Sequence, residues 1–247
     1  MEETIQMKEK TALITGGAGG LGKELALMLM DNGISVVVLD KIPQENLDYD
    51  YKSRLKKYIA LDLSDLEAVK NSVKGYFMKE AIHVDILIIN AFPRVFNNFR
   101  DYKDLEIIRF VNTAYTSQLI FANHFLNKMT ETGFGRIIII SSKSGIQGYS
   151  SGSLYCSLKA AWTTFHESVE RELSTFSKDL TITTICPDSF SDQQGNRYNQ
   201  HYYIVGAVKK IVLKAIFRNV SGIYYPATLR TKLILSLQLF RKLLKLW

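Results

Sequence analysis

The sequence predicts a doubly wound α/β domain built on a parallel sheet. Short apolar, β-rich runs alternate with longer helical patterns along most of the 247 residues. The runs are continuously apolar rather than alternating, as expected when helices cover both faces of a sheet. A glycine-rich turn joins the first run to the first helical pattern, where such sheets place a ligand.

Thr11–Thr15 is the first strand, followed by a helix from about Leu21 to Asn32 and a second strand at Ser35–Leu39. Lys57–Leu61 and Asp85–Ile89 are the next two strands, with a helical stretch over Asp65–Lys79 between them. A long helix is expected over Leu105–Met129, then a fifth strand at Arg136–Ile140. A helix from about Ser153 to Ser177 precedes a sixth strand at Thr181–Cys186, and Gly222–Tyr225 is a short seventh. Ligands of a doubly wound sheet bind beyond the carboxyl ends of its strands. Thr15, Asp40, Asn90, Ser142 and Pro187 fall at those ends and are expected to share one crevice.

No Pro- or Gly-rich linker divides the chain, so residues 1–247 are read as a single domain. The first ten residues are polar and charged, without the apolar core of a signal peptide. No stretch of about 18 uncharged apolar residues suggests a membrane span. Cys156 and Cys186 are the only cysteines and lack metal-ligand spacing, which predicts buried free thiols and a cytoplasmic protein. His201 has no partners at ligand spacing, so no metal site is expected.

The net charge of +7 is unevenly spread. Beyond Asp192 there is no acidic residue, and residues 193–247 carry ten lysines and arginines, leaving −3 for the rest. Such asymmetry fits either an anionic partner or a solvated basic face.

Three motifs carry chemistry. Thr15-Gly16-Gly17-Ala18-Gly19-Gly20-Leu21-Gly22 allows a tight turn, close approach to a pyrophosphate, and free N–H groups at a helix start. No Gly-Lys-Ser/Thr closes it, so it is not a Walker loop. Asp40 ends the second strand, where a carboxylate can accept from both adenosine ribose hydroxyls. It would repel a 2′-phosphate, which favours NAD over NADP, although Lys41 follows directly. Tyr155 and Lys159 lie one helical turn apart on one face, with Ser142 thirteen positions upstream. An ammonium beside a phenol is expected to lower the phenol's pKa and fit it to acid/base work on an alcohol oxygen. Ser142 is placed to hydrogen-bond the same oxygen.

Together these residues resemble the short-chain dehydrogenase/reductase family in its classical type, over Lys10 to about Asp192. The resemblance implies a Rossmann fold of about seven strands and a nicotinamide cofactor. It places cofactor contacts at Thr15, Gly16, Gly20, Leu21, Gly22, Asp40, Asp62, Leu63, Asn90, Ala91, Tyr155, Lys159 and Pro187. Asp62 is similar to the family's adenine-contacting acid, and Asn90-Ala91 to the start of a motif supporting the sheet beside the cofactor. It implies that Tyr155 is the acid/base and that Lys159 tunes it and holds the nicotinamide ribose. Ser142 would orient the carbonyl, and Asn112 would anchor a water linking Lys159 to solvent. The implied reaction is hydride transfer between a secondary alcohol and a ketone, in a homodimer or homotetramer.

The chain departs from the family at two places. Phe92, followed by Pro93, replaces a glycine after Asn90-Ala91, and Asp188 replaces the glycine after Pro187. Asp188 is expected to bring bulk and negative charge beside the nicotinamide. It would suit the oxidised, cationic ring or a polar substrate, or mark a nucleotide-binding sensor or scaffold with impaired catalysis. A substrate lid is expected over residues 188–206, with Phe190, Tyr198, His201, Tyr202 and Tyr203. In the tail, residues 227–247, Leu233, Leu237, Phe240, Leu244 and Trp247 share a helical face beside Arg241, Lys242 and Lys245. That fits an interfacial helix on anionic lipid or a helix buried against the domain or a second subunit. Nucleic acid is not expected as a partner, because the aromatic residues do not interleave with the basic ones.

Overall fold

The strands β1 (Thr11–Thr15), β2 (Ser35–Asp40), β3 (Lys57–Ala60), β4 (Ile86–Ile89), β5 (Phe134–Ile140), β6 (Asp179–Ile185) and β7 (Gly222–Tyr224) form one sheet. Their order is β3-β2-β1-β4-β5-β6-β7, and every pairing is parallel. The helices between them are α1 (Gly20–Asp31), α2 (Tyr49–Arg54), α3 (Leu66–Ser72), α4 (Asp104–Val111), α5 (Ser117–Thr132), α6 (Ser153–Leu173) and α7 (Arg197–Phe217). The computed structural model describes residue 7 and residues 9–175, 179–188 and 197–226, the side chains of 197–203 excepted. The basic tail and most of the expected lid lie outside these residues. Among the described residues no helix is long and apolar enough to cross a membrane.

Side-chain alternation along buried strands builds two cores, one on each face. Leu13, Leu39, Leu87 and Ile137 meet Phe121, Phe125 and Trp162 from α5 and α6. Their neighbours Ile14, Val38, Ile88 and Ile138 meet Leu25 and Leu29 of α1 and Val208 and Val212 of α7. Each such aliphatic or aromatic side chain, fully buried, contributes about 1.5–3 kcal/mol. Both cores thus draw on one continuous apolar run per strand.

The expected strands are all present. The helix expected over Leu105–Met129 is interrupted by a π-helical turn, Asn112–Thr116. The backbone N–H of Ser117 reaches the carbonyl of Asn112, and its hydroxyl lies between that oxygen, at 2.7 Å, and the nearer carbonyl of Leu63. The widened turn presents the carbonyl of Ala114 to the indole N–H of Trp162 at 2.9 Å, a tertiary contact that local helix propensity does not encode. A second π turn, Val73–Lys79, continues α3. Helices α2 and α7 were not expected from the sequence, and α7 takes in residues 197–206 of the expected lid. The order of strands reverses between β1 and β4, so the crevice opens at their carboxyl ends.

Candidate active site

The glycine turn is shaped by contacts from three neighbouring elements. Gly16 has φ +69°, and a Cβ there would lie 2.8 Å from the Cα of Ala91. A Cβ on Gly22 would lie 2.0 Å from the carbonyl oxygen of Gly16, so α1 can approach the turn only as glycine. The backbone N–H of Ala18 donates to Asp40 at 3.0 Å, and the hydroxyl of Tyr51 donates to the carbonyl of Gly17 at 2.6 Å. The Asn90 amide donates to the carbonyls of Thr15 (3.1 Å) and Gly16 (2.9 Å). The turn is thus held open at the N-terminus of α1, where a pyrophosphate finds free N–H groups and the positive end of the helix dipole. These residues fit a nicotinamide dinucleotide.

A cavity of about 1510 Å³ runs from this turn to Ser142, Tyr155 and Lys159. Gly16, Gly20, Leu21, Gly22, Asp40, Asp62, Leu63, Asn90, Ala91, Ser142, Tyr155, Lys159 and Pro187 all line it. Thr15 and Asn112 do not. Thr15 is fully buried, accepts from the N–H groups of Asn90 and Ala91, and donates to Gln118 at 2.8 Å. It braces the turn from beneath. Asn112 donates its amide to the carbonyl of Ser64 at 3.1 Å, and its own carbonyl accepts from the backbone N–H of Ser117.

Strand β5 delivers Ser142 and α6 delivers Tyr155 and Lys159. Burial raises the pKa of Tyr155, while hydrogen bonding with Ser142 lowers it, Tyr149 raises it and Arg94 lowers it. The expected depression by Lys159 is not found. The ammonium of Lys159 lies over the Tyr155 ring, 5.7 Å from its centre, and donates to the carbonyl of Ile140 at 2.7 Å. Burial lowers the Lys159 pKa from 10.5 to about 7.

Both departures find physical accommodation. The ring of Phe92 packs edge-on against Tyr155 at 5.0 Å and Phe110 at 5.8 Å. It also lies 3.8 Å from the Lys159 ammonium, a cation–π contact. Asp188, nearly buried, is ion-paired with Lys143, the residue after Ser142. Its charge is therefore compensated, contrary to an isolated negative charge beside the reacting ring. Cys156 and Cys186 are buried free thiols.

The sequence reading missed several residues of the cavity, among them Arg94, Tyr102, Arg109, Lys143 and Ser144. Ser144 and Lys143 adjoin Ser142 and were legible as neighbours. Arg94 sits in the extended segment after Phe92, which carried no pattern.

The model of the short chain dehydrogenase family matches residues 10–202. The 3-oxoacyl-(acyl-carrier-protein) reductase FabG of Rickettsia conorii is 28% identical over 198 residues, 79% of each chain. A short chain dehydrogenase from Leptospira borgpetersenii, solved with bound NAD+, is 21% identical with a TM-score of 0.73, over 90% of this chain and 92% of that one. ElxO, solved with NADP bound, is 25% identical with a TM-score of 0.63, over 73% of each chain. The chain belongs to the short chain dehydrogenase family and is an NAD(P)-dependent oxidoreductase.

Proposed function

We propose that the protein interconverts a secondary alcohol and a ketone, with Tyr155 as acid/base and NAD preferred over NADP. The observation that carries the reading is the single cavity joining the glycine turn to Ser142, Tyr155 and Lys159. The nicotinamide, when bound, supplies or accepts the hydride. Tyr155 gives its proton to the carbonyl oxygen in reduction and takes it back in oxidation. Ser142 hydrogen-bonds that oxygen and stabilises its developing charge. Lys159 holds the nicotinamide ribose, and Asn112 supports the site through the π turn rather than lining it.

The cofactor preference rests on Asp40, whose carboxylate is oriented by the N–H groups of Ala18 and Ile42 at the mouth of the cavity. A fixed negative charge there opposes a 2′-phosphate. A ketone substrate is supported by the name of the FabG relative, a 3-oxoacyl reductase. We also propose a lid over residues 188–206, a homodimer or homotetramer, and peripheral membrane contact through the tail, 227–247. A sensor or scaffold with impaired turnover is the second reading, favoured by the Phe92 ring seated on Lys159.

The test is NADH oxidation across a ketone panel by wild type and Tyr155→Phe. The variant should lose about 10²–10⁴-fold in turnover while its NAD affinity stays within about twofold. Wild-type turnover that survives in Tyr155→Phe refutes the mechanism, and a wild type inert across the panel favours the sensor.

A further inference from the structure

Arg94 lines the cavity together with Phe92, Phe96, Tyr149 and Tyr155, and its side chain is exposed. Among the described residues it has no hydrogen bond and no ion pair. The carboxylates that line the same cavity are engaged elsewhere. Asp188 is paired with Lys143. Asp40 accepts from the N–H groups of Ala18 and Ile42, Asp62 from that of Ser64, and Glu106 from that of Lys103. The cavity thus offers a guanidinium that no acid of its own wall neutralises.

Residues on either side hold Arg94 near Tyr155. Pro93 has a fixed φ and keeps Phe92 extended. The Phe92 ring meets the Tyr155 ring at 5.0 Å, and the Phe96 ring meets it at 5.2 Å. Arg94 is midway between them, at most about 7 Å along the chain from either. The hydroxyl of Tyr102 accepts from the N–H of Asn97 and donates to the carbonyl of Val95, both at 3.3 Å. The hydroxyl of Ser151, just before α6, donates to the side chain of Asn98 at 3.1 Å. The segment 92–98 is thus fastened at both ends beside the helix that carries Tyr155. Burial raises the pKa of both Tyr155 and Tyr149, and the positive charge of Arg94 opposes that rise at each.

We propose that Arg94 binds a carboxylate of the substrate, so that the ketone is a free oxo acid and the alcohol its hydroxy acid. This rests on the oxidoreductase reading above. A guanidinium meets a carboxylate through two parallel N–H···O bonds, which fix both distance and angle. An oxo group close to that carboxylate along the carbon chain then lies at Tyr155 and Ser142. Phe92, Phe96 and Tyr149 supply an apolar flank for the carbon chain. The carboxylate takes no part in the redox step. Hydride and proton add across the carbonyl, and the acid leaves as the same anion. The phosphates of a coenzyme A thioester are also oxyanions, but they lie at the far end of the pantetheine arm from the carbonyl. A guanidinium beside Tyr155 therefore favours the free acid over the thioester.

The experiment follows NADH oxidation by the full-length protein with paired probes. They are acetoacetate and ethyl acetoacetate, benzoylacetate and ethyl benzoylacetate, and acetoacetyl-CoA. Wild type should show kcat/KM at least about tenfold higher on an acid than on its ester. In Arg94→Met that acid-over-ester ratio should fall about 10- to 100-fold, the range for a charge-assisted hydrogen-bonded pair, with most of the loss in KM. Arg94→Lys, which keeps the charge without the fork, should give an intermediate ratio. Added salt should raise KM for the acids and leave that for the esters. NADH affinity should stay within about twofold in both variants, which separates a substrate contact from a cofactor contact. A wild type that reduces the ester or the thioester at least as well as the acid overturns the proposal while leaving Tyr155 as acid/base. So does an acid-over-ester ratio that Arg94→Met leaves unchanged. A loss on acetoacetyl-CoA as large as that on acetoacetate overturns the carboxylate in favour of a phosphate. A wild type with no Tyr155-dependent turnover on any probe overturns the parent reading and the proposal with it.

Discussion

The Lys143 ammonium is ion-paired with the Asp188 carboxylate, whose side chain is only 4% exposed. The pair links the turn after β5 to the end of β6, and the N–H of Lys143 also donates to the carbonyl of Pro187 at 3.1 Å. The nearly buried acid is thereby paired with the cation of the residue beside Ser142.

Removing that cation should cost more than removing the acid. Lys143→Met leaves a nearly buried carboxylate without its ammonium and should destabilise the protein by about 2 kcal/mol. This is below the range for a wholly buried pair because Lys143 is 38% exposed. Asp188→Asn should cost less, and the double variant should recover part of the Lys143→Met loss. Urea unfolding of the three variants checks the order.

Lys159 sets a pH dependence of stability. Its folded pKa, about 7, lies below its ordinary 10.5. Between pH 7 and 9 the unfolded chain therefore binds more protons at this group than the folded one, and stability rises with pH. Cys186, raised by burial from 9 to about 11, acts in the opposite sense above pH 9. Unfolding of wild type should thus show a rise on the order of 2 kcal/mol from pH 7 to 9 that Lys159→Met flattens. Identical pH profiles for the two proteins would contradict the burial of a titrating lysine.

Two glycines of one turn should behave differently. Gly22→Ala places a Cβ 2.0 Å from the Gly16 carbonyl oxygen, a backbone atom with no freedom to move. It should lower the melting temperature and weaken NADH binding at least about tenfold, equivalent to about 1.4 kcal/mol. Gly20→Ala meets no neighbour and only the strain of φ +53°, about 1 kcal/mol. Its melting temperature should fall less. Thermal scans and NADH titrations of both variants make the comparison.

Asp40→Ala should narrow the preference for NADH over NADPH. The loss removes the ribose acceptor and also the hydrogen bond from Ala18 that braces the glycine turn. NADH should bind about tenfold more weakly, in line with one charge-assisted hydrogen bond. NADPH should lose less, because repulsion of its 2′-phosphate goes with the carboxylate. Equal binding of the two cofactors by the wild type would refute the role assigned to Asp40.

The strands, their parallel direction and the crevice at their ends were legible because period and continuity of apolar residues are local signals. Gly16, Gly20 and Gly22 announced the turn, and Tyr155 and Lys159 announced one helical face. Local signals could not show which way a long side chain turns. Lys159 shares a face with Tyr155 in sequence, yet its ammonium goes to Ile140 and Phe92 because burial rewards a carbonyl and a ring over solvent. The π turn at Asn112 was likewise invisible, since it depends on Ser117 and on Trp162 from another helix.

By itself the sequence determined the fold class and the family, both of which follow from residue type and spacing along one chain. Only the tertiary structure decided the partner of Asp188 and the cover over Lys159. Those depend on segments far apart or turned by packing, where a few ångströms settle which charges and rings meet.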